Sequence, residues 1–390
     1  MPVLRFQRHL RQRVKIVLLC DIYYTLVILA KAGIQSACNL HVSGFPIKLG
    51  MTLKMNIEKL PKVLEALPKY RIRQAKEAIF QKLIPDWNKA TFLPLSLREE
   101  LNQKCPLDIK AETLVSKKKD SVKARITLED GLLIETVLMR HKDGRNTVCV
   151  SSQVGCPLGC SFCATGKMGF KRNLTPMEIA EQVIYFGRYL KKGGKKVTNV
   201  TFMGMGEPFL NYDNVMKAAR IINAKDKLGI GARNISISTA GIIEGIEKFE
   251  KEGTQINLAI SLHAPYNELR SKLMPINKRY HLERVLSAVD DYIKKTKRQV
   301  MFEYLLIKDV NDTEACAKEL ARIMKKPLYY VNLILYNQIR GSEFKPSTSE
   351  RVKKFKEILK KNKVVFSQRF RFGEDIKAAC GQFAGEKNKN

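Results

Sequence analysis

The sequence predicts an α/β fold: a partial (β/α)6 barrel preceded by a small N-terminal helical domain. Two observations carry this. From about residue 146, short apolar runs alternate six times with amphipathic segments, as strands and crossover helices do. Residues 55–106 instead keep helical spacing of apolar residues without such runs.

Residues 1–13 are basic and residues 16–30 mostly apolar, in the manner of a signal peptide or short anchor. The apolar run is shorter than a bilayer needs and Asp21 interrupts it, so no stable membrane association is expected. Residues 1–54 read as an atypical extension or a mis-set start, with Met51 or Met55 a natural first residue. In the helical segment, Ile72, Ala75, Ile79 and Leu83 fall on one face with basic residues between them, and Pro85 and Pro94 punctuate it. Residues 107–145 read as a β-rich connector, two extended runs around an Asp130-Gly131 turn.

The catalytic domain is expected over 146–385. Its strand candidates are NTVCVSSQ, VTNVTFMG, RNISISTAG, INLAISLHA, QVMFEYLLI and LYYVNLILYN. The helices that follow start near Thr175, Asn211, Ile242, His281, Asp312 and Thr348. Thr175 caps the first of these, Pro176 takes its first helical position and Glu178 completes a capping box. Six units are too few for a closed eight-fold barrel, so the sheet should stay open. Its active site should lie at the C-terminal ends of the strands.

Composition narrows the function. The 390 residues carry 70 Lys+Arg against 38 Asp+Glu, a net charge of +32. Such an excess favours a polyanionic partner, because phosphate contacts release counterions and act over long range. A highly charged soluble surface is the plainer reading. Nine cysteines, three of them within eight residues, exclude a secreted disulfide framework. They point to a metal site in a reducing, cytoplasmic setting.

That site is GCPLGCSFCATG. Cys156, Cys160 and Cys163 stand at C-x-x-x-C-x-x-C spacing in a glycine-rich loop after a strand. Thiolates are the ligands of iron–sulfur clusters, and four are usual. Three leave one iron of a 4Fe–4S cluster open to chelate the amino and carboxylate groups of S-adenosylmethionine (SAM). Zinc is the rival, but its sites pair two such motifs and no second pair is spaced to match. After the next strand comes GMGEP, in which Glu207 can accept from the SAM ammonium. Ser238 in ISISTAG, with Ser261 and His263 in ISLHAP, stands at further strand ends. For each a structural role is an equal reading, and His263 alone reads as a satisfied core histidine.

The blocks CVSSQVGCPLGCSFCATG, GFKRNLTP, FMGMGEP, SISTAG, SLHAP, KLMPIN, VNLILYN and DIKAACGQ, in this order from about Ile57 to Gly385, resemble the RlmN/Cfr family of radical SAM adenosine methyltransferases. By pattern alone Cys149 and Cys380 are buried apolar thiols, and Glu135 is a solvated strand residue. The resemblance implies that Cys380 is the methyl carrier, Cys149 its resolving partner through a transient disulfide, and Glu135 the proton acceptor. It implies SAM contacts at Gly206, Glu207, Ser238, Ser261, Leu262, His263 and Asn337. The implied chemistry uses two SAM per turnover, one to methylate Cys380 and one, on the cluster, to activate that methyl group. Implied partners are 23S rRNA, tRNA and an external reductant such as flavodoxin or ferredoxin, with the helical segment 55–106 gripping RNA.

RlmN-like members methylate C2 of the adenine, and Cfr-like members C8. GFKRNL, GMGEP and STAG favour C2, while Leu335 stands where RlmN proteins often carry proline. Two other readings stay open. A radical SAM enzyme acting on a non-RNA substrate such as a protein would not need Cys149 and Cys380. A non-catalytic ribosome-bound iron–sulfur protein would release no 5′-deoxyadenosine. Cys20, Cys38, Cys105 and Cys316 are expected to be plain thiols.

Overall fold

The computed structural model describes residues 41–42, 45–46, 59–339, 341–373, 375–378 and 381–382. The readings of the N-terminal extension, of its alternative starts, and of Cys20, Cys38 and Cys380 lie outside the described residues. The chain divides into two units, Met1–Thr52 and Leu53–Asn390. In the first, His41–Val42 pairs antiparallel with Phe45–Pro46.

The second unit begins with three helices, α1 (Leu60–Leu64), α2 (Lys69–Phe80) and α3 (Leu95–Lys104). They enclose a core of their own around Ile79, Leu101 and the fully buried Trp87, whose indole N–H donates to Cys105 O at 2.7 Å. Lys69, Arg73 and Lys76 stay exposed on α2. Leu83, expected on the same helical face, falls beyond α2, at φ +52°. Pro85 follows closely, and the residues before a proline are steered out of the helix.

Ten strands form one sheet. Three antiparallel strands open it, β1 (Ala111–Val115), β2 (Ser121–Thr127) and β3 (Leu133–Arg140). The sequence reading gave two here. β1, AETLV, escaped it because it lacks a clean alternation of apolar and polar residues, and four of its five residues are exposed. The expected turn is present, with Gly131 at φ +85°. These strands continue directly into the barrel sheet: β3 pairs antiparallel with β4 (Asn146–Val150).

From β4 the sheet is parallel, through β7 (Asn199–Phe202), β8 (Ile235–Thr239), β9 (Asn257–Ser261), β10 (Val300–Leu306) and β11 (Tyr329–Leu335). A seventh parallel strand, β12 (Phe366–Gln368), adds to β11. At three residues it is too short for a periodic signal. The sheet order, β12-β11-β10-β9-β8-β7-β4-β3-β2-β1, leaves both ends open, as a partial barrel requires.

The crossover helices start within two residues of their sequence signals. They are α5 (Pro176–Lys191), α6 (Tyr212–Asn223), α7 (Ile243–Lys251), α9 (Leu282–Thr296), α10 (Glu314–Met324) and α11 (Ser349–Lys361). The Thr175–Glu178 capping box on α5 is formed in both directions. Short helices α4 (Ala164–Lys167) and α8 (Asn267–Leu273) sit in loops. A small hairpin, β5 (Gln153–Gly155) with β6 (Phe170–Asn173), brackets the cysteine loop. Parallel strands need apolar cover on both faces, and β10 is buried at six of its seven positions. Among the described residues no helix is long and apolar enough to cross a membrane.

Candidate active site

The parallel strands all deliver their C-terminal ends to one cavity. The three loop thiols of Cys156, Cys160 and Cys163 line it, as do Cys149 from β4 and Gly206 and Glu207 after β7. Ser238 from β8, Ser261 and His263 from β9, and Asn337 after β11 complete the set of sequence-predicted residues found there. Leu262 is fully buried beside them without lining the cavity. Cys380 is outside the described residues, but Gly381 lines the cavity and its carbonyl accepts from Ala164 N at 2.8 Å.

The cysteine loop is held at several points. Cys156 N donates to Gly169 O at 3.0 Å and Ser161 N to Leu273 O at 3.0 Å. Phe162 packs edge-on against His263, with ring centres 4.9 Å apart. Gly155 has φ +76°, and a Cβ there would meet Gly169 O at 1.8 Å, so only glycine lets the hairpin close. Gly206 is similar: φ +102°, with Gln153 against the missing Cβ.

Burial pushes Cys156 up to about 12 and Cys160 well above the ordinary thiol range, and the neighbouring thiols and Glu207 push the same way. Such a pocket disfavours bare thiolates and suits positively charged metal. The three loop thiols lining one cavity are the donor set of an iron–sulfur cluster, which takes one thiolate per iron.

Glu207 is buried, and burial pushes its carboxyl up to about 7. Its oxygens accept from Phe209 N at 3.0 Å and Ala240 N at 2.7 Å, and the Thr239 hydroxyl also hydrogen-bonds the carboxyl. His263 sits at φ +58°, and its Nδ1 accepts from Leu305 N at 3.1 Å. Burial, with Arg270 adding, pushes it down to about 3, so the ring is neutral and its Nε2 carries the hydrogen. It is a satisfied core histidine and a cavity residue at once.

Relatives of known name match almost the whole fold. A protein of Dictyoglomus thermophilum named probable dual-specificity RNA methyltransferase RlmN is 44% identical over 332 residues, 85% of this chain and 95% of its own. One of Nitrosopumilus maritimus, named ribosomal RNA large subunit methyltransferase N, is 42% identical over 338 residues, 83% of this chain and 96% of its own. The chain belongs to the RlmN family of radical SAM RNA methyltransferases. The radical SAM superfamily pattern matches residues 150–320. The crystal structure of a radical SAM methyltransferase from Sphaerobacter thermophilus superposes with a TM-score of 0.81 at 41% identity, covering 85% of this chain and 98% of that one. Membership in the RlmN family implies a 4Fe–4S cluster and SAM, and the thiol geometry above fits them.

Glu135 departs from the pattern reading. It is 3% exposed on β3, not solvated, and its Oε1 lies 2.9 Å from Lys123 Nζ. Val137 and Met139, on the same face of β3 by strand alternation, line the cavity; Glu135 does not. Cys149, directly opposite Val137, is buried in the apolar core at 4% exposed, as its pattern predicts, and also lines the cavity. Cys105 and Cys316 are buried away from the cavity.

Three site residues escaped the sequence reading. Arg270 on α8 is fully buried and donates to Ala240 O at 2.7 Å, Leu262 O and Ser261 O at 3.2 Å, and Asn277 Oδ1 at 2.8 Å. It ties together the carbonyls that follow β8 and β9. Glu303 on β10 and Arg369 after β12 line the cavity as an ion pair at 3.6 Å. The carboxylate inside the apolar run QVMFEYLLI was the available signal for Glu303. Also lining the cavity, Phe370 is 57% exposed between Arg369 and Arg371 in the chain, while Phe372 is buried.

Proposed function

We propose that this RNA methyltransferase transfers a methyl group to C2 of an adenosine in 23S rRNA, and of one in the tRNA anticodon loop, with Cys380 as methyl carrier. The observation that carries the reading is the shared cavity: Cys149, the three loop thiols and Glu207 line one space, together with the exposed Phe370 ring and Arg369 and Arg371.

Adenine C2 is electrophilic and cannot attack the methyl of SAM directly. The chain divides the task. The Cys380 thiolate displaces the methyl group of one SAM, forming an S–CH3 bond and releasing S-adenosylhomocysteine. Cys156, Cys160 and Cys163 hold the cluster, which, when bound, supplies with a second SAM a carbon radical able to take a hydrogen atom from that S-methyl group. Glu207 accepts from the SAM ammonium, while Gly206, Ser238, Ser261, Leu262, His263 and Asn337 position the rest of the molecule. The methylene radical left on the Cys380 sulfur bonds to C2, and Glu135, or a water it orients, takes the C2 proton. The Cys149 thiolate then attacks the Cys380 sulfur, an S–S bond forming as the S–C bond breaks; the released carbon takes a proton to become the methyl group, and an external redox partner takes up the unpaired electron and restores both thiols.

The RNA base must leave its stack to enter the cavity. Phe370 offers a face for such a base, and Arg369 and Arg371 draw its phosphates. The exposed lysines and arginine of α2 add a surface for folded RNA.

The test is anaerobic reaction of the reconstituted protein with SAM, dithionite and a 23S rRNA fragment, then nucleoside digestion and mass spectrometry. The expected product is 2-methyladenosine, lost in Cys380→Ala. Recovery of 8-methyladenosine would move the site to C8. Methylation that survives Cys380→Ala would overturn the carrier role.

A further inference from the structure

Lys123, on β2, stands where a lysine is costly. Its side chain is only 11% exposed, and a buried ammonium is tolerated only when it is paired. The register says which way it faces. Lys123 lies opposite Val137 on β3, and Val137 lies opposite Cys149 on β4. Residues opposite one another share a face of the sheet, so Lys123 belongs to the face on which Val137 and Cys149 line the cavity. Glu135, two positions from Val137, belongs to it too.

The ammonium spans two parts of the site. Its Nζ is 2.9 Å from Glu135 Oε1 and donates to Lys377 O at 3.3 Å. Lys377 stands three residues before Cys380. The segment around it is also laid against the ends of β3 and β1. Phe372 packs edge-on against His141, with ring centres 4.9 Å apart, and Asp375 Oδ2 accepts from Lys117 N at 2.8 Å. Those anchors hold the segment; the Lys123 ammonium grips the segment and Glu135 at once.

The proposed chemistry needs that spacing fixed. The carbon on the Cys380 sulfur bonds to adenine C2, and Glu135, directly or through a water, must then reach the proton on that same C2. A sulfur and a base from distant parts of the chain act on one atom in succession. A misplacement of about 1 Å in such an arrangement can cost about 100-fold in rate. We propose that Lys123 is a positioning residue for proton removal: its ammonium sets Glu135 at a fixed reach from the segment that carries Cys380. This rests on the reading that Cys380 carries the methyl group and Glu135 takes the C2 proton.

The experiment follows 5′-deoxyadenosine and methylated adenosine together, in anaerobically reconstituted wild type, Lys123→Met, Lys123→Arg, Glu135→Gln and the double variant Lys123→Met/Glu135→Gln. The substrates are a 23S rRNA fragment and the same fragment with deuterium at adenine C2. Iron content and melting temperature are checked for each protein. Lys123→Met should lower kcat for methylation about tenfold or more, with KM for the RNA changed by less than about twofold. It should release about tenfold more 5′-deoxyadenosine per methylated base and show a larger deuterium isotope effect than wild type, because proton removal has become the slow step. Lys123→Arg, which keeps the charge, should recover part of the loss. The double variant should be no slower than Glu135→Gln, since Lys123 acts through that carboxylate. It removes the ion pair whole rather than leaving a buried charge unpaired, so it carries the test if Lys123→Met does not fold. A folded Lys123→Met protein that methylates as wild type does, or that loses both products in step, overturns the proposal, and so does a double variant about tenfold slower than Glu135→Gln. Glu135→Gln methylating at the wild-type rate would bring down the broader reading as well; an impaired Glu135→Gln beside an unimpaired Lys123→Met refutes this proposal alone.

Discussion

The two halves of the ten-stranded sheet are built by different rules and do different work. The antiparallel half, β1 to β3, is made of adjacent strands joined by tight turns, and it contributes Val137 and Met139 as cavity wall and Glu135 beside them. The parallel half, β4 to β12, needs a helix between strands, and its C-terminal ends carry the thiols, Glu207, Ser238, Ser261, His263 and Glu303. The change of direction falls between β3 and β4, where Cys149 faces Val137. On the proposed function, the difference teaches that SAM chemistry belongs to the parallel half, while Glu135, proposed to take the RNA base's proton, comes from the other side of the switch.

Substitutions can break that division, and the largest effect should come from the cysteine loop. Cys160→Ala should lower bound iron and bring 5′-deoxyadenosine formation to background, measured by iron assay and chromatography. Next, Glu135→Gln on the antiparallel half should cut RNA methylation about 100-fold or more, the scale of a lost general base. It should leave SAM binding unchanged; equal loss of both would erase the distinction between the halves.

Stability changes follow. Arg270→Met removes the donor shared by Ala240 O, Ser261 O and Leu262 O and should cost about 3 kcal/mol in urea unfolding. His263 is held neutral in the folded chain, its pKa lowered to about 3 from 6.5. Between those values the unfolded chain binds the extra proton, so stability falls as pH drops from about 6.5, by about 1.4 kcal/mol per unit from this group. Glu207, raised to about 7 from 4.5, acts oppositely between those values, so His263→Gln should expose a stability that decreases as pH rises there. The smallest effect is expected in the helical segment. Trp87→Phe loses the 2.7 Å bond to Cys105 O and should cost about 1–2 kcal/mol, with SAM binding unaltered.

Much of the barrel was legible because local chemistry and tertiary role agree there. Thr175 and Glu178 announce a helix start whatever surrounds them, and the cysteine loop and GMGEP are contiguous in sequence. What stayed hidden is non-local. Arg270 looks like any helical arginine until four acceptors from three segments close around it. The hairpin of β5 and β6 forms across the cysteine loop, and β12 is a strand only because β11 offers its edge. Glu135 reads as solvated because strand alternation gives a face, not whether that face is covered.

The most direct measurement follows both products of one reaction. Anaerobic protein, SAM, reductant and rRNA fragment should yield 5′-deoxyadenosine and methylated adenosine in step, the nucleoside never lagging behind the methylated base. Methylated adenosine accumulating without 5′-deoxyadenosine would contradict a shared cavity in which the cysteine loop drives the transfer.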